Sequence, residues 1–573
     1  MKFMSFLILL FIILILNNFV LSGTANEVTL TVNLNNNNNY SINGECGTSN
    51  SKTCNNINDA INYFNTIANN SGVSPQIIYQ QLNLLLDDGN YSVENSTVNF
   101  YQYNVTISPL YFGSNKVIFN GLNSKTAINN SPMFSVIPNN GIIDTLSLNS
   151  YIVISGIQFL NFKQPIIKVS TNISFTDIRI ESCSINQYNS NNSMIEINKL
   201  FAQQLTLPNN HLKINNSQIS NIQTDNKTPL IYAINTIINY DQTDITNATV
   251  QSIIDTSFGE YLIVSFSNFL NINSVNGIFN VFNTHASVGD GNFNNNVASN
   301  GASVLTYTLN VTHVFSAALA RGNFIGNIGS NGGVFYGVNT FPGLETLTTS
   351  ISQCTFSSGF ANNGGAIYTN NIPISVVNSQ FGDTTATTAG GHIYSSGNVL
   401  SLVNVSFTQA PIIPTTTTTT IDTADEIKGY VIFASNSTVY IKNGTIDSKL
   451  VDSIYCNGSS INVDVYSKIS TVSCNKCNVF LGENQVCNIG GGSVSTSTSG
   501  TGSGISISSS SGSSQTLTIT STGSNSHTSG ISSSSSTGHT VTTITSTSGS
   551  PSKFLPSYAN LLFILLFSLV LSF

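Results

Sequence analysis

The sequence predicts an all-β solenoid, in which one chain winds through successive coils of short parallel strands. Between about residues 28 and 486, short β-branched and aromatic runs alternate with clusters of Asn, Gly and Ser, and long helical periodicity is almost absent. Repeats of 20 to 50 residues built from short strands indicate a β-solenoid. Here a three-residue motif recurs: a small or polar residue, any residue, and then Phe or Ile. Its copies are 24 to 34 residues apart, with one interval of 50. The last residue of each copy is Phe159, Ile185, Ile219, Phe269, Phe293, Phe324, Phe356, Phe381 or Phe407.

A second motif, two glycines followed by an apolar residue, predicts the corners of the coils. It occurs at Gly332-Gly333, Gly364-Gly365 and Gly390-Gly391, with a weaker copy at Gly301-Ala302. Glycine permits the positive φ of a tight corner, and its missing side chain lets successive coils approach. Equivalent residues then stack at about the 4.8 Å spacing of strands, so we expect ladders of Asn and Tyr. No Lys and no helix follow residues 359–365, so this glycine motif is not a phosphate-binding loop.

One helix is predicted near the start of the chain. Ile57, Ala60, Ile61 and Phe64 follow helical spacing, and Asn55 or Asn56 is a suitable N-cap. A strand at residues 82–86 and a turn at residues 87–91 follow. The helix therefore precedes the first coil and is expected to cap the solenoid.

These motifs resemble those of known solenoid families. Phe324-Ile325-Gly326-Asn327 followed by Gly332-Gly333-Val334 is similar to the FxxN…GGA repeat of polymorphic outer-membrane proteins. The capping helix, the strand after it and Gly89-Asn90-Tyr91 resemble the first coil of pectin-lyase-like proteins. The looser resemblance spans about residues 46–450, and it implies a right-handed, single-stranded parallel β-helix. Such motifs specify architecture better than activity.

Both ends of the chain carry targeting patterns. Lys2, an apolar run at residues 6–16 and small residues at 23–25 predict a signal peptide over residues 1–25. At the other end, Ser548-Gly549-Ser550, a short spacer and a short apolar tail predict a glycosylphosphatidylinositol (GPI) anchor signal, with residues 551–573 removed and Ser548 joined to the lipid. The mature chain is therefore expected on the outer face of the plasma membrane.

The remaining chain divides by composition into four parts. We expect an N-terminal cap with the helix at residues 26–74, the parallel β-helix at 75–450, a Cys-rich C-terminal cap at 451–489 and a Ser/Thr/Gly-rich stalk at 490–550. The stalk has no apolar period and no charge, so it is expected to be disordered and O-glycosylated.

Sixteen Asn-x-Ser/Thr sequons are candidate N-glycosylation sites in an extracellular chain. They begin at Asn39, Asn69, Asn90, Asn95, Asn104, Asn129, Asn172, Asn191, Asn215, Asn226, Asn247, Asn310, Asn404, Asn436, Asn443 and Asn457.

Eight cysteines in an oxidising compartment predict disulfides. Cys46 and Cys54 are expected to pair locally. A second group, comprising Cys456, Cys474, Cys477 and Cys487, is expected to staple the end of the folded body. The Cys474-x-x-Cys477 motif could also belong to a zinc or redox site, but without a nearby His a structural disulfide is favoured. Cys183 and Cys354 are expected as buried free thiols.

Few residues are candidates for catalysis. Asp177, Arg179 and Glu181 would share one face of a strand and form the best charged constellation. A surface salt-bridge ladder is favoured over a catalytic site as the explanation for these three residues. Asp87-Asp88 is a turn pair. Among the other acids, Asp241, Asp244, Asp422, Asp425 and Glu426 fall in loop-like segments, and the histidines before the Ser/Thr-rich segment (His211, His285, His313 and His392) are isolated. No metal or other cofactor is expected.

Charged residues make up only 7% of the chain and the net charge is −8, which excludes a basic nucleic-acid surface. The preferred hypothesis is a non-catalytic, GPI-anchored cell-surface glycoprotein for adhesion or recognition, with a polysaccharide or a surface protein as ligand. One alternative is an extracellular β-helix enzyme that degrades or modifies polysaccharide. Another is a structural coat protein.

Overall fold

The computed structural model is a right-handed parallel β-helix of fourteen complete coils. It describes residues 26–33, 53–54, 56–70, 80–92, 97–101, 104–111, 116–121, 131–137, 150–169, 176–197, 210–310, 315–341, 349–408, 431–446, 453–469, 471–475, 477–487, 504–509, 515–520 and 543–544. In each coil the chain passes through one strand of each of three sheets, A, B and C, and then returns to sheet A. This confirms the predicted fold class.

Sheet A forms the first face of the coils, and all but one of its strands are parallel. Its strands are Asn26–Val32, Thr53–Cys54, Gln80–Leu86, Asn104–Pro109, Ser150–Ser155, Thr176–Glu181, Asn210–Asn215, Thr236–Asp241, Tyr261–Ser265, His285–Gly289, Ala317–Ala320, Thr349–Ser352, Ile374–Val377, Val399–Val403, Thr438–Lys442, Ser460–Val463, Asn478–Leu481 and the antiparallel Asn484–Cys487.

Sheet B forms the second face and has the shortest strands. They are Gly89–Ser92, Val117–Asn120, Gln158–Leu160, Ser184–Asn189, Gln218–Gln223, Asp244–Val250, Asn268–Ser274, Asn292–Asn294, Val297–Ala298, Asn323–Ile325, Thr355–Ser357, Gln380–Gly382, Ser406–Phe407, Thr445–Ile446 and Lys468–Ile469, together with the adjoining pair Phe360–Asn363 and Thr385–Ala389.

Sheet C forms the third face. Its strands are Val98–Tyr101, Phe134–Ile137, Ile167–Val169, Ile195–Ile197, Ile231–Ile234, Ile254–Ser257, Phe279–Phe282, Leu305–Leu309, Phe335–Asn339, Ile367–Asn370, Ile393–Ser396, Ile432–Ser435, Ile454–Asn457, Thr471–Asn475, Gly504–Ser509, Gln515–Thr520 and Thr543–Ile544.

A continuous apolar core runs along the inside of the coils. Successive residues of each strand alternate between buried and exposed, as in Asn104–Pro109 and Ser150–Ser155, because side chains in a strand point alternately to its two faces. The predicted Phe and Ile positions lie in register on the inner face of sheet B and form one ladder. Its best-stacked part, from Phe269 to Phe407, has ring centroids 4.6 to 5.1 Å apart.

The Gly-Gly motifs lie at the corner between sheets B and C, as the sequence predicts. The first glycine of each copy has a positive φ, for example 68° at Gly332 and 62° at Gly364. A Cβ on the second glycine would collide with a carbonyl oxygen of the following coil: that of Gly365 for Gly333, and that of Gly391 for Gly365. These residues therefore have to be glycine for two separate reasons, conformation and close approach of the coils.

Two other corners use non-glycine residues at positive φ. At the corner between sheets A and B, ten successive coils place a residue with φ between 46° and 55°: Ser182, Asn216, Gln242, Phe266, Asp290, Arg321, Gln353, Asn378, Asn404 and Asn443. The corner between sheets C and A also places non-glycine residues at positive φ, between 47° and 56°: Asn235, Phe258, Asn283, Asn371 and Asn436. Asn tolerates this region better than most residues, which explains part of the abundance of Asn in the chain.

The predicted helix extends over Ile57–Asn70. All four predicted core residues, Ile57, Ala60, Ile61 and Phe64, are buried. Asn56 caps the helix, since its Oδ1 accepts a hydrogen bond of 2.8 Å from the backbone N–H of Asp59 and its Nδ2 donates to the Asp59 carboxylate.

Parallel strand pairing is also present outside residues 75–450. Asn26–Val32, within the expected N-terminal cap, pairs in parallel with Gln80–Leu86. Past residue 450, Ile454–Asn457 pairs in parallel with Ile432–Ser435. Within the segment expected as a stalk, Gly504–Ser509 and Gln515–Thr520 form an antiparallel pair, and alternating apolar residues such as Ile505 and Ile507 are consistent with strands there.

Candidate functional site

The best charged constellation lies on the outer face of sheet A. Asp177, Arg179 and Glu181 project from Thr176–Glu181, while Ile178 and Ile180 point inwards. Arg179 Nη2 lies 2.5 Å from Asp177 Oδ2, and 45% of the arginine side chain is exposed. The hydrogen bond to Asp177 raises the pKa of Arg179. Arg179 and Asp177 thus form a solvent-exposed ion pair, which is the surface salt bridge that the sequence predicts as the alternative to a catalytic site.

The other predicted acids do not join this group. Asp87 and Asp88 lie three coils earlier, about 14 Å away along the axis at the usual strand spacing. The Asp87 carbonyl accepts a hydrogen bond from the Tyr91 hydroxyl, and Asp88 pairs with Lys116 at 3.4 Å. In the described ranges no three His, Cys, Asp or Glu side chains are grouped in a way that could hold a metal ion.

Asp241 and Asp244 belong to the hydrogen-bonded corners of the coils. Asp241 Oδ1 accepts from Ser265 Oγ at 2.7 Å, and Asp244 Oδ1 accepts from Asn268 Nδ2 at 2.7 Å. Asp422, Asp425 and Glu426 lie outside the described residues. Asp241 and Asp244 therefore join successive coils through hydrogen bonds.

Among the histidines, His392 is fully buried and packs between Phe381 and Phe407. Its Nδ1 is hydrogen-bonded to Thr384 Oγ1, and its Nε2 lies 3.2 Å from the carbonyl oxygen of Thr408. Burial lowers the pKa of His392 to about 4. The side chain is therefore a neutral core residue at physiological pH.

The other histidines are on the outside or undescribed. His285 stacks on Tyr261 with ring centroids 5.1 Å apart and accepts a hydrogen bond from the backbone N–H of Ser316. His211 faces outwards from sheet A beside Asp177, and His313 lies outside the described residues.

Cys456 and Cys477 are joined by a disulfide across 21 residues of chain. Cys54 is also disulfide-bonded, and Cys46, its predicted partner, lies outside the described residues. The backbone of Cys474 lies beside that of Cys456 in the sheet C ladder, and Cys487 is in the last strand of sheet A. Cys183 and Cys354 are buried free thiols, which confirms that prediction.

Nine of the sequon asparagines are exposed: Asn90, Asn191, Asn226, Asn247, Asn310, Asn404, Asn436, Asn443 and Asn457. Asn104 and Asn215 are half-buried. Asn69 lies in the helix, and Asn39, Asn95, Asn129 and Asn172, like Ser548, lie outside the described residues. By contrast, none of the six buried asparagines begins a sequon; they are Asn210, Asn283, Asn296, Asn327, Asn339 and Asn398.

The most distinctive outer surface is a row of five aromatic rings on sheet C, which we call the aromatic ladder: Tyr336, Tyr368, Tyr394, Phe433 and Tyr455. Successive ring centroids are 5.1, 4.7, 4.9 and 5.4 Å apart, with planes within 14° of parallel. These spacings exceed the 3.5–4.0 Å contact distance of carbon atoms. Nearly parallel rings at such spacings are stacked with an offset.

The register of sheet C explains the ladder. In each strand an inward Ile or Phe precedes the ring, as in Ile367-Tyr368 and Ile393-Tyr394, so the ring points outwards. All five rings are half-buried. Burial and the neighbouring Tyr394 and Tyr336 raise the pKa of Tyr368 to about 12, so its hydroxyl is protonated at neutral pH.

A polar strip runs beside the ladder. Two residues after each of four rings, Asn370, Ser396, Ser435 and Asn457 lie in register on neighbouring strands. Amide and hydroxyl groups both donate and accept hydrogen bonds. In these coils the surface therefore combines a row of aromatic rings with a parallel row of polar groups.

The Gly-Gly motif predicts ladder positions for Tyr336, Tyr368 and Tyr394, which follow it, but it does not predict Phe433 and Tyr455. A signal was present, because the dipeptide Ile-Tyr or Ile-Phe recurs at Ile432-Phe433 and Ile454-Tyr455 without the glycines. Lys168 and Glu196, which no sequence motif predicts as partners, form a 2.9 Å ion pair lower on the same outer face of sheet C.

Within the residues that the structure describes, no helix has the length and apolar character needed to cross a membrane. No model of a known protein family matches the chain, and no curated protein matches its sequence.

Proposed function

We propose that this chain is an extracellular recognition glycoprotein that binds an extended polysaccharide along the aromatic ladder. The single observation that carries the proposal is the half-exposed ladder itself, with its parallel polar strip. Tyrosine pairs an apolar ring with a polar hydroxyl, and both suit a ligand with apolar C–H edges and many hydroxyls. A linear polysaccharide repeats along its length, as the ladder does.

The proposed location is the outer face of the plasma membrane. The sequence features that support it are the signal-peptide pattern at residues 1–25 and the GPI-anchor pattern ending in residues 551–573, with Ser548 as the attachment residue. The exposed sequons are compatible with N-linked glycans on the folded chain. On this proposal the Ser/Thr-rich segment at residues 490–550 holds the β-helix away from the membrane.

We also propose that the chain is a member of the pectin-lyase-like superfamily. Support comes from the FxxN…GGA-like repeat together with the capping helix that precedes the first coil. The proposal concerns ancestry and architecture, because superfamily members differ in activity.

The test uses the full chain, expressed on the surface of a glycosylating eukaryotic cell, and a panel of insoluble and immobilised polysaccharides. We expect at least one to retain the wild-type chain. Tyr368→Thr combined with Tyr394→Thr should weaken retention at least tenfold, because it removes two central rings while β-branched Thr suits a strand. Tyr440→Thr is the matched control, since Tyr440 is exposed on sheet A away from the ladder.

Two results would contradict the proposal. Retention that survives loss of both rings would place the binding surface elsewhere, and absence of binding to any polysaccharide or to intact cells would favour a structural coat protein. Shortened polysaccharide products in the same samples would favour the enzyme alternative, and Asp177→Asn with Glu181→Gln would then be the first variant to assay. Release of the chain from cells by a phosphatidylinositol-specific phospholipase tests the anchor separately.

A further inference from the structure

The aromatic ladder is one part of a longer row of outward positions on sheet C. Below Tyr336 the register continues through Thr306, Asn280, Asp255 and Tyr232, each aligned with the next on neighbouring strands. We call these four residues the polar extension. Together the ladder and the extension occupy nine successive strands, which span roughly 38 Å at the usual strand spacing.

No large side chain separates the polar extension from the ladder. Thr306 lies between Asn280 and Tyr336 in the row, is 9% exposed, and accepts a hydrogen bond through its hydroxyl from the backbone N–H of Ala302. A polysaccharide that lies along the ladder can therefore continue onto the extension. A second row of outward residues runs beside both parts, and all of its members are uncharged: Ile234, Ser257, Phe282, Thr308, Val338, Asn370, Ser396, Ser435 and Asn457.

Asp255 and Asn280 form a hydrogen-bonded pair in the middle of the extension. Asn280 Nδ2 donates to Asp255 Oδ2 at 2.9 Å, and both side chains are half-buried. Burial raises the pKa of Asp255, and the hydrogen bond from Asn280 opposes that rise. A carboxylate only accepts hydrogen bonds, while an amide both donates and accepts. The pair therefore offers a sugar hydroxyl a charged acceptor, and hydrogen bonds to charged acceptors are the stronger kind.

Tyr232 places one more aromatic ring at the far end of the extension. Its ring is half-buried, like those of the ladder, and burial together with the negative charges of Asp255 and Glu196 raises its pKa. Glu196, on the next strand, is neutralised by Lys168 at 2.9 Å. Within the described part of the chain Asp255 forms no ion pair, so its charge is left for a ligand to meet.

Sheet C and its two corners carry few charges along this row. Between residues 224 and 459, the described charged side chains at these places are Asp225, Lys227, Asp255 and Glu260. Three negative charges and one positive charge leave a net charge of −2. All four lie at the extension, and Lys227, the one cation, is beside Asp225 at its far end. A carboxylate or sulfate on a polysaccharide would therefore meet no cation among the described residues of the ladder.

We propose that this surface binds an uncharged polysaccharide, which lies along the ladder and continues onto the polar extension, where its hydroxyls donate hydrogen bonds to Asp255. The inference rests on the proposed function, because it names the class of ligand for the same surface. Two effects act against acidic polysaccharides. Their ionised groups would lose water without gaining an ionic partner, and Asp255 would repel them.

The test measures retention of the purified full chain, produced in a glycosylating eukaryotic cell, by immobilised cellulose, xylan, mannan and galactan. Each is used as its hydroxyethyl derivative and as its carboxymethyl derivative, which share a backbone and differ in charge. Polygalacturonate and alginate represent natural acidic polysaccharides. We expect at least one hydroxyethyl derivative to retain the wild-type chain, and its carboxymethyl counterpart to retain it about tenfold more weakly at low salt. Added salt should narrow that difference, because it screens the repulsion.

Asp255→Thr isolates the role of the carboxylate. It should weaken retention by the hydroxyethyl derivative about tenfold, because a charge-assisted hydrogen bond is lost, and it should narrow the difference between the two derivatives. Thr suits a strand and already occupies the same row at Thr306. Glu483→Gln is the matched control, since it removes the same charge from an exposed residue just after the sheet A strand Asn478–Leu481. Equal narrowing by both variants would trace the discrimination to the net charge of the chain and would overturn the inference.

Asp255→Asn tests the extension in a second way, because it completes an Asn-x-Ser sequon with Thr256 and Ser257. A glycan at this position should abolish retention, and mass spectrometry establishes that the site is occupied. Peptide-N-glycosidase converts a glycosylated Asn to Asp when it releases the glycan, so treatment of this variant recreates the wild-type residue and should restore retention. Val399→Asn is the control: it completes a sequon with Ser401 on sheet A and should keep wild-type retention.

Three further results would overturn the inference: equal retention by both derivatives, retention by polygalacturonate or alginate alone, and unchanged retention of Asp255→Thr. In each case, loss of retention in Tyr368→Thr combined with Tyr394→Thr would still support binding along the ladder, so the proposed function would stand while its ligand class fails. Retention by none of these polysaccharides would overturn both. The two failures can therefore be told apart.

Discussion

The rings of Tyr368 and Tyr394 lie 4.7 Å apart with their planes 7° from parallel, although the residues are 26 positions apart in the chain. Their strands are paired in register, with Ile367 opposite Ile393 and Tyr368 opposite Tyr394. Residues that are one coil apart in the sequence therefore lie side by side, so the length of a coil determines both the sequence repeat and the stacking of the rings. Any residue type that recurs once per coil becomes a ladder.

The first prediction concerns the ionisation of the aromatic ladder. Burial and neighbouring tyrosines raise the pKa of Tyr368 to about 12, from the usual value near 10. The folded state therefore keeps a proton that the unfolded chain loses, so this contribution to stability is complete below pH 10 and is lost progressively from pH 10 to 12. Absorbance at alkaline pH should show late-titrating tyrosines, and Tyr368→Phe should remove one of them.

Tyr440→Phe is the control for that titration, since Tyr440 is exposed outside the ladder. Tyr336 and Tyr394 also have raised pKa values through burial, so the late-titrating population should shrink without disappearing in Tyr368→Phe. A wild-type chain whose tyrosines all titrate near pH 10 would contradict the stacked, half-buried ladder.

The second prediction concerns acid stability and His392. Burial lowers the pKa of this histidine to about 4, below its usual value near 6.5. The unfolded chain therefore binds a proton that the folded chain does not, and the free energy of unfolding should fall as the pH drops from about 6.5 to 4. A difference of this size corresponds to roughly 3 kcal/mol, and denaturant unfolding at several pH values measures it.

His392→Val is the informative variant, because Val334 occupies the same place in another copy of the motif. It should be less stable than wild type at neutral pH, since the hydrogen bonds to Thr384 and Thr408 are lost. Its stability should nevertheless change less between pH 6.5 and 4. If both chains lose stability in parallel over that range, His392 is not the group responsible.

Much of the fold could be predicted because it depends on local chemistry repeated once per coil. The Phe positions and the Gly-Gly corners were found from the sequence because each residue type has one structural reason to be there. Gly364, for example, combines a positive φ with a backbone that lies against the next coil. The helix was found because Ile57, Ala60, Ile61 and Phe64 share one face.

The full aromatic ladder and the disulfide pairing could not be predicted, because they depend on which residues of successive coils are aligned. The sequence alone does not show this alignment. Insertions between strands vary in length, so the alignment of Tyr455 with Phe433 is visible only in the sheet register. The same holds for Cys456 and Cys477, since four cysteines near the C-terminus allow several pairings.

The third prediction concerns the inner Phe ladder. Phe324 is buried, and its ring lies 5.1 Å from those of both Phe293 and Phe356. Phe324→Ala should destabilise the β-helix by about 3–5 kcal/mol, since it removes a large side chain and leaves a cavity between two rigid neighbours. The chain has no Trp, so far-ultraviolet circular dichroism during denaturant unfolding is the suitable measurement. Phe324→Leu should cost less, and a neutral effect of Phe324→Ala would contradict the ladder.

The last prediction separates two kinds of glycine at positive φ. Gly364 has a φ of 62°, and an added Cβ would collide with the backbone carbonyl of Ile367, which belongs to the next strand and cannot move away. Gly397 has a similar φ of 64°, but its added Cβ would meet only the end of the Asn371 side chain, which can rotate. The aligned corners of neighbouring coils carry Asn371 and Asn436, so Gly397→Asn should change the free energy of unfolding by less than about 1 kcal/mol.

Gly364→Ala should lower the free energy of unfolding by more than the roughly 1–2 kcal/mol that the backbone conformation alone costs, because the collision of the Cβ adds to it. Equal effects of the two substitutions in denaturant unfolding would show that conformation, and not the approach of neighbouring coils, is what fixes glycine at the corner between sheets B and C.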